Sequence, residues 1–250
     1  MTNHKTIASV PARVSQLIRQ YNKVQEEASV ESLRRFLLMV VFTIPMHFAL
    51  AWWFNRYPAD PAHPEVMEWA HSLGVLHGIT GAIVLALACF VRWVVRPKGR
   101  ATVAGVGLHI LLCITYLVFG VFASQLDVKV AAAGGISPYI IVCIAIGVTS
   151  LMRPAISIPL FAGALAIFWV GLSMTNFAPV MFASLVINST AATVLALIVS
   201  IMLWKQYVSI SLLHQQLHNA QRALSAKQVE LDLMIEINAQ TQPAPLGPFA

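Results

Sequence analysis

An all-α membrane protein is the fold class this sequence predicts: a six-transmembrane helical bundle whose last helix continues into a cytoplasmic coiled coil. Three observations predict it. The 250-residue chain is 58% hydrophobic and only 10% charged, where a soluble domain carries about 25% charged residues. Its mean hydropathy is +0.74, and six apolar runs each approach the ~20 residues that cross ~30 Å of hydrocarbon. After the last run, apolar residues recur at alternating spacings of three and four, the pattern of a coiled-coil seam.

The elements follow in order. Residues 1–35, "MTNHKTIASVPARVSQLIRQYNKVQEEASVESLRR", are polar and charged, which makes them a cytoplasmic helical lead-in and not a signal peptide. Residues 36–204 form the six-span domain, with spans expected near 36–54, 70–95, 101–124, 131–151, 155–175 and 180–204. The links between them, such as "RPKGR", "QLDVK", "MRP" and "NFAP", are too short for anything but antiparallel neighbours, so the spans read as three helical hairpins.

Lysine and arginine set the orientation. Lys5, Arg13, Arg19, Lys23, Arg34 and Arg35 precede the first span, and Arg92, Arg96, Lys98 and Arg100 mark the second-to-third turn. Arg153 lies at the fourth-to-fifth turn, and Lys205, Arg222 and Lys227 follow the last span, against Arg56 and Lys129 alone on the other side. By the positive-inside rule both termini are cytoplasmic, as expected of a multi-pass protein of a bacterial inner membrane. The first outer loop is the longest and carries prolines from Pro58 to Pro64, with Trp52, Trp53, Tyr57 and Trp69 at interfacial depth. The net charge of +6 sits beside the spans, so it points to lipid headgroups and not to nucleic acid. Cys89, Cys113 and Cys143 all fall inside apolar runs, as small buried side chains and not a disulfide framework.

Beyond Trp204 the apolar runs stop. In 205–240, Ile210, Leu213, Leu217, Ala220, Leu224, Lys227, Leu231 and Met234 form the heptad stripe, and no Gly or Pro interrupts the chain before Pro243. The last span should therefore continue as a signalling helix that pairs two copies of the chain over 204–238, with Lys227 weakening the seam at one point. The face is rich in Gln and not cationic, which favours dimerisation over lying on the membrane. Residues 241–250 are a proline-bearing linker or truncation scar and not a domain.

A six-span module that feeds "LHQQLHNAQRALSAKQVELDLM" resembles the membrane-associated sensor (MASE-like) regions of bacterial signalling enzymes, above all the input half of membrane diguanylate cyclases. The resemblance implies a sensory module that regulates a cyclic-di-GMP-forming output domain through the dimeric coiled coil. Histidine kinases and class III adenylate cyclases also use six-span inputs. No GGDEF-like or nucleotide-binding sequence stands in the chain, so no catalytic residue carries over and the output domain is expected to be missing.

Histidines inside the spans are the candidate site, because ionisable residues in a membrane mark function by default. His47 in "IPMHFALAWWF" and His77 in "HSLGVLHGITG" each lie about 10 Å below the outer surface, at 1.5 Å per residue, on helices that run in opposite directions. Two imidazoles at one depth suit axial ligation of haem b iron. In that reading Gly74 and Gly78 make room for the ring, together with Gly81, Ala82, Gly105 and Gly107. Phe48, Trp52 and Phe54 wall it, and His71 or Arg56 meet the propionates. The same glycine stripe also suits plain helix packing. A copper or zinc ion on His47, His71 and His77 is a weaker alternative, since no metal-ligand spacing or core carboxylate supports it.

Two further readings stay open. The histidines could line a pocket for a small hydrophobic signal, with His77, Tyr116, Tyr139 and Asn188 as its polar contacts. A membrane electron carrier would share the haem but have no use for a coiled coil, and a transporter is disfavoured by spans without an acidic residue. His109 lies nearer the inner surface and is expected to stand alone. Pro45 should distort the first helix beside His47, Gly134, Gly135 and Pro138 should make an irregular start to the fourth, and Asn188, Ser189 and Thr190 should join helices.

Overall fold

The computed structural model describes residues 9–56, 63–95, 103–130 and 135–241, with side chains described over 21–56, 63–93, 103–130 and 135–237. Residues 1–8, Tyr57, Pro58 and Pro61 of the first outer loop, the basic turn Arg96–Arg100, Gly134 and the tail 242–250 lie outside the described residues. Six helices run in order: α1 (Ser9–Asn55), α2 (Pro64–Val95), α3 (Val103–Lys129), α4 (Ser137–Thr149), α5 (Pro154–Ser173) and α6 (Pro179–Thr241). There is no strand among the described residues.

Five of the helices are long and apolar enough to cross a membrane. Their outward faces carry large apolar side chains such as Phe42, Trp93, Ile167 and Ile187. Contiguous apolar surface on that scale suits a lipid solvent and not water. The chain is an all-helical membrane protein.

The fourth helix departs from expectation. A span was expected over 131–151, but α4 has 13 residues, about 20 Å of rise against ~30 Å of hydrocarbon. Local chemistry sets both ends. Gly135 takes φ +66°, a left-handed turn that a side chain resists, and Pro138 follows inside the first turn. At the other end Ser150 and Arg153 are extended. For Arg153 the cause is Pro154, whose ring disfavours helical backbone in the residue before it.

The segment from Ser150 to Met152 is non-helical yet fully buried, so its backbone needs partners from elsewhere. They come from α1. The Leu151 N–H donates to Ser32 Oγ at 2.8 Å, and the Arg153 N–H donates to Gln25 Oε1 at 2.9 Å. The described part of the expected helical lead-in 1–35 is continuous with the first span. α1 is one helix of 47 residues that runs through Pro45, and Val24, Gln25, Ala28, Ser29, Ser32 and Leu33 are buried on the same stripe as Phe36, Val40 and His47. The stripe has the 3.6-residue period of a single helix face.

α3 is the hub: it packs against α1, α2, α4 and α5. α6 joins through Tyr139, whose hydroxyl meets Thr193 Oγ1 at 2.8 Å, and through Trp169, whose Nε1 donates to Ser189 Oγ at 3.2 Å. A Cβ on Gly147 would stand 2.7 Å from the Ala196 carbonyl oxygen, so α4 and α6 approach backbone to backbone there. Ser189 thus joins helices as expected, whereas Asn188 is exposed and bonds only to Ser184 of its own helix.

The chain divides into two units, Met1–Tyr207 and Val208–Ala250. Within the second, the described residues belong to α6, and Ile210, Leu213, Leu217, Leu224, Leu231 and Met234 are each more than half exposed. Cys113 and Cys143 are buried as expected, but Cys89 is exposed on the outer face of α2.

Candidate functional site

His47 lies on α1 seven residues beyond Val40, on the same buried face, and His77 lies on α2. The two helices are packed as antiparallel neighbours, which brings these two residues level. His47 Nδ1 and His77 Nδ1 stand 2.9 Å apart, with ring centroids 5.1 Å apart. A hydrogen bond between two imidazole nitrogens needs one protonated and one bare nitrogen. The neutral pair therefore holds complementary tautomers: one ring is protonated at Nδ1 and the other is not.

The surroundings are aromatic. Phe119 of α3 sets its edge against both rings, at 4.9 Å from His47 and 5.0 Å from His77. Phe54 stacks on His77 at 5.9 Å, and Trp69 closes on Phe54 from the outer side. One turn inward, Tyr116 and Thr43 share a hydrogen bond of 2.9 Å. Both histidines are buried. The pair is a polar contact enclosed by aromatic rings.

The other residues expected at this site are elsewhere. His71 is exposed. Trp52 points outward, with the Arg56 guanidinium over its ring at 4.8 Å, and Phe48 is also exposed. The glycines are spent on helix packing: a Cβ on Gly74 would meet the Asn55 side chain at 2.9 Å, and one on Gly81 would meet His47 Cβ at 3.1 Å. Gly78 faces Ala51 across the same seam. They bring α1 and α2 together and do not open a slot between them.

That arrangement does not fit haem b. Two imidazoles on opposite faces of one iron stand roughly 4 Å apart at a metal–nitrogen distance of about 2 Å, with a porphyrin between the rings. Here the nitrogens are 2.9 Å apart and bonded to each other. A three-ligand metal site fits no better, since no three His, Cys, Asp or Glu converge among the described residues.

The polar contacts expected of a small-molecule cavity are likewise dispersed. Tyr116 bonds to Thr43, Tyr139 bonds to Thr193 and stacks on Phe168 at 4.7 Å, and Asn188 is exposed.

Two features escaped the sequence reading. Asp127, within the expected link "QLDVK", is buried at the C-terminal end of α3 and accepts a hydrogen bond from Trp69 Nε1 at 3.0 Å. His109 is not alone. Its Nε2 meets Ser150 Oγ at 2.7 Å and its Nδ1 meets Ser29 Oγ at 3.4 Å. Ser29 in turn accepts from Gln25 Nε2 at 3.0 Å. This second cluster is fully enclosed by α1, α3 and the Ser150–Arg153 segment. Period would have found both: Asp127 continues the stripe Gly120, Ser124 on α3, and Gln25, Ser29 and Ser32 continue the apolar stripe of α1.

No protein-family model, curated protein or solved structure matches the chain.

Proposed function

We propose that this chain is a membrane-embedded sensory input module in which proton uptake by the His47–His77 pair is the sensed event. The observation that carries this reading is the 2.9 Å contact between two imidazoles walled by Phe54 and Phe119. Histidine is the side chain whose ordinary titration range lies nearest neutral pH. One added proton turns the contact into an imidazolium donating to an imidazole. A second leaves two donors and two like charges facing each other, with no acceptor between them. The contact then opens and α1 moves from α2.

Few titratable groups oppose this. Tyr116 approaches His47 from α3, with ring centroids 6.4 Å apart. Asp127 of α3 stands behind Trp69 and Phe54, and on α1 and α2 themselves Arg56 and His71 are exposed.

The rest of the proposal concerns output. In this reading α4 and the buried extended stretch Ser150–Met152 together make the fourth of six crossings, and the positive-inside rule then puts both termini in the cytoplasm of a bacterial inner membrane. The stripe from Ile210 to Met234 pairs two copies as a coiled coil, and the helix passes its change to an output domain of the diguanylate cyclase kind. A two-state pairing of that kind is what gives such coupling its content.

The test uses the full chain carrying Leu217→Cys and Cys89→Ser in vesicles. A spin label is attached to the introduced thiol, and the label-to-label distance across the stripe is measured between pH 8 and pH 4, a readout that does not depend on the thiolate fraction. The expected result is a distance distribution that changes with pH in this protein and stays fixed when His77→Asn is added. A pH response that survives His77→Asn sinks the proton reading. A Soret band in the purified protein, lost in His47→Ala and His77→Ala, replaces it with the haem reading.

A further inference from the structure

A separate feature lies in the inner half of the bundle. Leu37, Val40, Val41, Ile44 and Pro45 of α1 and Leu85, Ala88 and Cys89 of α2 line an open apolar groove of about 410 Å³, and Arg92 closes one end of it. On α1 the lining extends from residue 37 to residue 45, about 12 Å at 1.5 Å per residue. One leaflet of hydrocarbon is about 15 Å deep.

The charge at the closed end is lopsided. Counting back from the contacts His47–His77 and Ala51–Gly78, Arg92 stands level with residues 32–37 of α1, the stretch that holds Arg34 and Arg35. Glu31 alone serves both of those arginines, at 3.9 Å from Arg34 and 3.3 Å from Arg35. Among the described residues no carboxylate pairs with Arg92, and Glu27, one turn further along α1, pairs with none of the three. Three guanidiniums thus stand against one paired carboxylate, which serves Arg34 and Arg35 and leaves Arg92 unmatched among the described residues.

We propose that this groove is a binding site for one anionic phospholipid: an acyl chain lies along α1 and α2, and the phosphate rests on Arg92 with Arg34 beside it. Charge complementarity selects this occupant. A neutral hydrophobic molecule would leave the cationic end unanswered, and a helix from another copy would bring an apolar flank against it. Arg also suits phosphate by geometry, since its planar fork can donate two parallel bonds. The proline is placed to help, because Pro45 breaks one backbone bond at the deep end of the groove and presents a flat ring there. A lipid seated here would clamp α1 to α2 in the inner leaflet, on the same helix pair whose outer halves carry the two histidines.

The test is native mass spectrometry of the full chain extracted from vesicles containing equal amounts of phosphatidylglycerol and phosphatidylcholine. The wild type should retain one phosphatidylglycerol per chain in preference to phosphatidylcholine. Arg92→Gln should lower that retention about fivefold, the effect of one interfacial cation, while Arg92→Lys, which keeps the charge without the fork, should fall between the two. Ala88→Phe, which fills the groove and leaves the charges in place, should also release the lipid. Equal retention of the two lipids by the wild type overturns the proposal, as does an Arg92→Gln protein that keeps its phosphatidylglycerol. Retention that survives Ala88→Phe overturns it too, because the lipid would then be held by surface charge without the groove. Arg92 is exposed and Ala88 is half-buried on the groove wall, so a thermal scan of the same samples checks that both variants stay folded before their lipid retention is compared.

Discussion

A buried imidazole that loses its partner keeps a polar nitrogen with nothing to bond. That gives the histidines separable signatures at the scale of single residues. Replacing either His47 or His77 with Ala should cost about 1–3 kcal/mol, mostly from the nitrogen left unpaired on the other ring. The double replacement should then cost clearly less than the sum of the two, because no orphan remains. Thermal unfolding of the four proteins in one detergent gives the cycle, and additivity would mean that the 2.9 Å contact contributes nothing. His109 should behave differently. It bonds to two serines on different elements, so His109→Ala takes a partner from both at once. Ser29 keeps Gln25 and Ser150 keeps only the weaker Cys113 contact among the described residues, so adding Ser150→Ala should restore more stability than adding Ser29→Ala. The shared depth of His47 and His77 was legible because depth along antiparallel helices is arithmetic, at 1.5 Å per residue; their direct contact was not, because it depends on how closely α1 and α2 pack. The absence of a ring-shaped space beside them was not legible. A glycine stripe reads the same whether it admits a cofactor or a neighbouring helix, and only the position of Ala51 and Asn55 decides between them.

Elements were misread where polar residues perform a buried task. Gln25 and Ser32 look like part of a solvated helix face, yet they cap the backbone of a segment 119 to 128 positions away in the chain. Hydropathy scores such residues as exposed, and nothing local reveals the extended Ser150–Arg153 stretch that needs them. The same blindness lengthened α4 in the sequence reading, since "ISPYIIVCIAIGVTSLM" is apolar throughout and its backbone turns out of helix while still buried. Two predictions follow at this scale. Ser32→Ala strands the buried Leu151 N–H and should cost about 1–3 kcal/mol, whereas Ser32→Thr, which keeps the acceptor, should cost less. Gly147→Leu should be worse than either, because its side chain would collide with the backbone at Ala196, and backbone cannot rotate away as a side chain can. Melting temperatures of the three variants rank these effects. A Gly147→Leu protein as stable as the wild type would show that α4 and α6 do not approach as closely as described.

The largest scale concerns what a single long helix is for. α6 has 63 residues, more than twice what a span needs, and its second stretch leaves Leu213, Leu217, Leu224 and Leu231 exposed at heptad spacing. In water, such a stripe on one helix is unstable without a cover, and a parallel copy supplies one residue for residue. If the stripe is a dimer seam, a cysteine on it meets its own counterpart and a cysteine opposite it does not. In a Cys89→Ser background, which removes the exposed native thiol, Leu217→Cys and Leu224→Cys should form disulfide-linked dimers in membranes, and Arg222→Cys should not. Lys227 occupies a seam position where an apolar residue would pack better, so Lys227→Leu should tighten the dimer, read as energy transfer between labelled full-length chains on dilution in detergent. It should also blunt the pH response of Leu217→Cys, because a seam with one strongly preferred register has lost the alternative that signalling requires. Tightening without loss of the response would separate the two roles: the stripe would hold the copies together, and the switch would lie within the membrane helices.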